Sequence, residues 1–209
     1  DRIGDANQLT LAQTSRMLSD QSGTELLRAS NCQILYFEDR EVTLPGETVA
    51  DDSSSALAAE QAAKLGGGWY TRAGIQWDPH DGSGNTDQAL AQLGYRDDDN
   101  HVFNLAYRLR DGITEQTDVA AYWPVNEKFS LVARHNYSLE ENRLLEALAG
   151  IEYGECCWRL RAVARRHTNN SGNDHDTSFL IQLELNGLGR FGDDIDKTLE
   201  RGIYGYKTD

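Results

Sequence analysis

Along much of this chain, apolar and polar residues take turns one by one. Phe103, Leu105, Tyr107 and Leu109 interleave with Asn104, Ala106 and Arg108, and Trp69, Ala73, Ile75 and Trp77 with Tyr70, Arg72 and Gln76. Phe129, Leu131, Ala133 and Tyr137 interleave with Ser130, Arg134 and Asn136, with Val132 as an interruption on the polar side. Leu145, Ala147, Ala149, Ile151 and Tyr153 alternate with Glu146, Gly150 and Glu152, and Phe179, Ile181, Leu183 and Leu185 with Gln182, Glu184 and Asn186. A period of two sends successive side chains to opposite sides of an extended strand. The pattern predicts an all-β protein of about eleven strands at 7–18, 23–37, 55–63, 69–77, 85–95, 101–110, 115–123, 129–137, 143–154, 157–167 and 177–186. The first two alternate poorly. The stretch "SALAAEQAAKL" has the composition of a helix, which leaves 55–63 open between strand and helix.

Short polar breaks separate the strands: "RDDDN" (96–100), "RDGIT" (110–114), "PVNEK" (124–128) and "SLEEN" (138–142). Such turns join antiparallel neighbours. Two longer polar gaps, 38–54 and 167–177, read as loops. Alternation alone does not say what the apolar face touches: in a soluble sandwich it is the core, in a membrane barrel it is lipid. Three details favour the barrel. The strands are near ten residues long, as a tilted bilayer crossing requires. Aromatics gather at strand ends (Trp69, Trp77, Tyr95, Trp123, Tyr137, Tyr153, Trp158), where interfacial girdles sit. Arginines and glutamates stand mid-strand on the polar side, as in a wet lumen.

Composition narrows the function. The formal charge of −14 opposes a nucleic-acid partner, since nothing here neutralises a row of phosphates. No run approaches the roughly 20 apolar residues of a membrane helix. Histidines 80, 101, 135, 167 and 175 are dispersed, and the acidic loops "DPHDGSGNTD" and "SGNDHD" lack calcium-loop spacing. No catalytic residue, metal site or cofactor is expected, and the chain does not read as an enzyme. A soluble β-sandwich and a carboxylate-pair glycosidase are the weaker competitors.

Cys156 and Cys157 are adjacent on a predicted strand, so they point to opposite faces and do not readily bond to each other. Cys32 is the only other thiol. Either all three are free buried thiols of a reducing compartment, or the adjacent pair has partners outside this sequence. Beyond the pair, Trp158, Leu160, Ala162 and Ala164 share one face and Arg159, Arg161 and Arg165 the other, where Glu146 and Glu152 or Glu184 on neighbouring strands can pair with them.

The runs "YGECCWRLRAVARRH" (153–167) and "FLIQLELNGLGRFG" (179–192) and the tail "LERGIYGYK" (199–207) resemble the C-terminal end of LptD, a family of lipopolysaccharide-assembly outer-membrane proteins. "DRIGDANQLTLAQTSRML", "ILYFEDREVTL" and "GIQWDP" resemble it as well, so the likeness runs along nearly the whole chain, least surely over 40–66. The resemblance implies an antiparallel transmembrane barrel of about 26 strands behind a periplasmic jellyroll that receives lipopolysaccharide from a periplasmic bridge. It implies the lipoprotein LptE as a plug inside the barrel, and release of lipid into the outer leaflet between the first and last strands.

On that reading the chain is a C-terminal portion, with barrel strands over 1–186 and a periplasmic tail over 187–209 that carries a short helix capped by Asp193 and Asp194. Cys156 and Cys157 match cysteines that are disulfide-bonded to the N-terminal region, whose counterparts lie outside this sequence. The last strand, Ser178, Phe179, Leu180, Ile181, Gln182, Leu183, Glu184, Leu185 and Asn186, matches the lateral gate. Arg159, Arg161, Arg165, Glu146, Glu152 and Glu184 would face the lumen. The cysteines and the turns "SDQSG", "RDDDN" and "PVNEK" would lie on the periplasmic side and the long loops outside. A general porin is the alternative that remains for the barrel.

Overall fold

A computed structural model describes residues 7–42, 51–79, 86–168 and 174–206. One antiparallel sheet of 12 strands runs in strict sequence order. Its strands are β1 Gln8–Leu18, β2 Glu25–Tyr36, β3 Leu57–Gly66, β4 Trp69–Trp77, β5 Thr86–Arg96, β6 Val102–Arg110, β7 Thr114–Pro124, β8 Phe129–Ser138, β9 Arg143–Glu155, β10 Trp158–Thr168, β11 His175–Leu185 and β12 Gly189–Gly192. A helix, α1, covers Ile195–Gly202. The eleven expected strands are all present. The four-residue β12 is an addition, within a segment expected to hold a helix and no further strand. Among the described residues no helix is long and apolar enough to cross a membrane, which bears on helices alone.

The 55–63 question resolves as strand. Alanine-rich β3 pairs on both sides, Ala62 with Arg28 and with Arg72, so ladder bonds to two neighbours outweigh the helical preference of its residues.

Register divides the sheet into two faces. On the outer face, one cross-strand row reads Trp69, Tyr95, Phe103, Ala121, Ala133, Ala149, Ala164, Phe179. Leu131, Ile151, Leu160, Phe179 and Ile181 stand exposed there. An aromatic band follows its cysteine-bearing end: Trp69 meets Tyr95 at 5.0 Å, Phe129 meets Tyr153 at 4.6 Å, and Tyr153 meets Trp158 at 5.3 Å. A contiguous apolar face this large marks contact with lipid or protein.

The inner face carries polar and charged residues along the sheet, but from β6 to β11 one of its rows is not polar. There the row Val102, Tyr122, Val132, Gly150, Val163, Leu180 is apolar, and Leu148 joins it. These residues form a core with Ile195, Leu199, Ile203 and Tyr206 of the tail. Val132, an interruption in the alternation, is thus part of a docking patch. Gly150 makes the patch close-packed: a Cβ there would meet Val163 Cγ2 at 2.6 Å and Val132 Cγ1 at 3.0 Å.

Candidate functional site: the last strands and the tail against them

The tail is positioned by its own sequence. Asp194 caps α1, accepting from the Lys197 N–H and pairing with its ammonium at 2.5 Å. Those hydrogen bonds from Lys197 hold the Asp194 carboxyl below its ordinary range. Asp193 instead serves the sheet: the Ile181 N–H donates to its carboxylate at 2.9 Å, and its own N–H donates to the Ile181 carbonyl at 3.0 Å. Ile195, Leu199 and Ile203 recur every four residues, so one stripe of the helix meets the patch. Burial, helped by the charge of Glu152, raises the phenol of Tyr206 far above its usual value.

Beneath the helix lies a closed cluster of charge. Arg161, 1% exposed, donates to Glu152 at 2.5 Å and to Glu184 at 3.0 Å, and meets Asp196 at 2.8 Å. Arg190 reaches Glu184 at 3.1 Å and Asp196 at 2.9 Å, and Arg159 lies 3.6 Å from Glu152. The Gln182 amide donates to Asp196 at 2.9 Å, while its oxygen accepts from the Ile195 N–H at 2.8 Å. Beyond the apolar row of Val163, Arg165 meets Glu146 at 2.5 Å, and Arg134 bridges Glu146 and Asp118 at 2.5 and 2.6 Å. The six charged residues singled out in the sequence therefore belong to two ion-pair networks. The tail buries the centre of the first, Arg161 and Asp196, while Arg159 and Arg190 at its margin stay partly exposed.

Two residues anchor the far end of the tail. Asn104 donates to the Tyr204 carbonyl at 2.7 Å and accepts from the Tyr70 hydroxyl at 2.9 Å. Asn104 and Tyr70 carried no sequence signal beyond their place on the polar face.

The candidate gate strand is unevenly covered. Gly189–Gly192 pair with Gln182–Leu185, and Asp193 takes up Ile181. Among the described residues nothing pairs with the edge of β11 from His175 to Leu180, where Phe179 is 78% exposed. Asn186 lies just beyond the strand, and its N–H and side chain donate to the carbonyls of Cys157 and Cys156, both at 3.0 Å. Cys156 and Cys157 form the β9–β10 turn, and both are free and exposed; Cys32 is also exposed. A hydrogen bond shared with Cys157 raises the Cys156 thiol above its usual value.

A carboxylate–imidazole group occupies the β5–β6 turn. His101 Nδ1 lies 2.7 Å from Asp97, its Nε2 lies 3.1 Å from the Pro124 carbonyl, and Asp99 is close by. Burial opposes ionisation of Asp97, but the backbone and ring of His101 and the Tyr95 hydroxyl overcome it and hold the carboxyl low. With its histidine already engaged twice, the group works as turn structure. His80 and parts of both acidic loops lie outside the described residues.

A family model described as LPS transport system D, LptD, matches residues 1–129. Over 206 residues the chain is 45% identical to the LPS-assembly protein LptD of Nitrosococcus oceani, covering 99% of this chain and 28% of that protein. The LPS-assembly protein LptD of Alkalilimnicola ehrlichii is 39% identical over 216 residues, with 100% and 28% covered. That of Thiobacillus denitrificans is 38% identical over 207 residues, with 99% and 28% covered. The chain thus spans under a third of the length of these relatives. Over most of its residues, and in its two-faced antiparallel sheet, this chain belongs to the LptD family.

Proposed function

We propose that this chain supplies the last strands of an outer-membrane β-barrel that passes lipopolysaccharide to the outer leaflet. The observation that carries the reading is the division of β11. Its cysteine-end half is covered by β12, Asp193 and the tail, while among the described residues no strand pairs with its edge from His175 to Leu180, which borders an apolar outer face. A seam that parts for lipid needs few backbone bonds at the place where it opens. The outer face lies in hydrocarbon, with the aromatic band at the periplasmic interface and the long loops outside. The tail then lies against the periplasmic half of the lumen wall.

The remaining parts belong to the same proposal. Cys156 and Cys157, presented at the periplasmic rim, are bonded to cysteines of the N-terminal region. That region takes lipopolysaccharide from the periplasmic bridge, and LptE fills the lumen beside β1–β4, whose inner face stays polar and uncovered. A porin fits less well, because a porin lumen is wet whereas Leu199 and Ile203 seal the row from Val102 to Val163.

The test is a reducible crosslink in the intact protein between Leu180 and the facing residue of the first strand. Lipopolysaccharide export falls to background while the link is closed and returns on reduction. Undiminished export through a closed link overturns the proposal.

A further inference from the structure

Over β4–β11 the outer face is mainly apolar, and its two carboxylates, Glu115 and Glu155, accept from Tyr107 and Lys128. By register, Arg166 on β10 is the one lysine or arginine that the described strands place on this face; Arg159, Arg161 and Arg165 of the same strand point inward. Arg166 is exposed, and among the described residues no acidic side chain pairs with it. Its row runs His135, Ala147, Arg166, Thr177, and the next pair outward is Thr168 with His175. Thr177 and Thr168 therefore lie nearest Arg166 among the polar groups of its own face, with His175 and His135 further off and no carboxylate in these rows.

Depth gives the position meaning. Trp158 belongs to the aromatic band, and Arg166 lies eight residues further along the same strand. That is about 26 Å of strand, or about 20 Å of bilayer depth at the tilt of such barrels. An apolar band is about 25 Å tall, so the Arg166 backbone stops about 5 Å short of the interface opposite Trp158, a gap its long side chain spans by snorkelling. An arginine at that level costs little, and its fork is matched to a phosphate. Ala147 on one side leaves room for the group, and Thr177 on the other offers a hydroxyl. Thr177 is on β11, within the stretch of edge that no described strand pairs.

We propose that Arg166, with Thr177, binds the phosphate of a lipid headgroup in the outer leaflet beside the seam. This rests on the reading that the outer face lies in a membrane with the cysteines on the periplasmic side. The site is outside the barrel, so it receives lipid that has left the seam, or holds lipid against the seam, without taking part in the charge clusters of the inner face.

The experiment uses the intact protein in phosphatidylcholine nanodiscs doped with either phosphatidic acid or uncharged diacylglycerol. Retained lipid is counted by native mass spectrometry. Phosphatidic acid should be retained over diacylglycerol by wild type, and R166Q should cut that preference about tenfold. R166K, which keeps the charge without the fork, should fall between, and R72Q on the inner face should match wild type. Unchanged tail protection against hydrogen exchange in R166Q confirms that the fold is intact. An undiminished preference in R166Q overturns the proposal, as does release of phosphatidic acid by excess inorganic phosphate, which would mark a site for free anions. Export through a locked seam would refute the seam reading and leave this binding result standing. Equal retention by R166Q would do the reverse.

Discussion

Replacing Arg161 by Met removes the cation that three carboxylates share. Arg161 holds Glu152, Glu184 and Asp196 at 2.5 to 3.0 Å, and its side chain is 1% exposed. Losing one partner of a buried ion pair costs about 3–5 kcal/mol, since the remaining charge is left desolvated. Arg190 keeps its own contacts to Glu184 and Asp196, so the loss falls mainly on Glu152, which retains Arg159 at 3.6 Å. The expected cost is therefore near the lower end, about 3 kcal/mol. It should appear in the tail before the sheet, because Asp196 is the contact that crosses from strand to helix. Hydrogen exchange of amides 199–206 in the intact protein in lipid reads it: protection should fall about 100-fold, at 1.36 kcal/mol per factor of ten. Adding Glu152→Gln and Asp196→Asn to Arg161→Met should restore most of the protection, because no charge is then stranded. Unchanged protection in Arg161→Met alone would refute the view that this cluster fastens the tail.

Other outcomes follow from the same contacts. Leu199→Ala opens a cavity between helix and sheet and should weaken tail docking by about 2–5 kcal/mol, read as lost protection of the same amides. Gly150→Ala drives a methyl into Val163, Val132 and the Ala162 carbonyl; overpacking of about 1–3 kcal/mol should lower the denaturant midpoint in detergent, and Val163→Ala should relieve only part of it, because the carbonyl at 2.7 Å remains. Asp97, held low by His101 and Tyr95, contributes order to the 97–101 turn above its unfolded value of about 3.9 and loses that contribution as pH falls through the lower folded value. The His101 amide, which donates to Asp97, should lose exchange protection across that acid window in wild type, while Asp97→Asn shows no such step. Non-reducing peptide mapping of the intact protein should find Cys156 and Cys157 each joined to an N-terminal cysteine; free thiols at both would contradict the disulfide assignment.

Much of the sheet was legible because each strand pairs with its sequence neighbour and has two unlike faces, so period two survives intact, as in β6 and β11. The helix cap at Asp194 was legible for the same local reason. The docking patch was not. Val132 looked like a fault on an otherwise polar side and Leu148 drew no notice, because the element that covers them comes about 50–60 residues later. Only the pairing of that side with the stripe Ile195, Leu199, Ile203 explains both. Arg161 was expected to meet water, and tail docking is what buries it. Asn104 and Tyr70 were illegible in kind: their value lies in one backbone carbonyl, that of Tyr204, brought near by the fold. Asp193 shows the limit of a motif, since of two candidate capping aspartates one caps the helix and the other closes the edge of a strand.

The account stands on which side of the sheet meets hydrocarbon. Spin labels placed singly at Ile151 and Ile181 on the outer face, and at Arg72 and Gln116 on the inner face, in the intact protein in bilayers, test it directly through collision with oxygen and with a water-soluble nickel chelate. The account predicts that Ile151 and Ile181 meet oxygen and are shielded from nickel, with the order reversed at Arg72 and Gln116. Nickel reaching Ile151 and Ile181 as freely as it reaches Arg72 would contradict it.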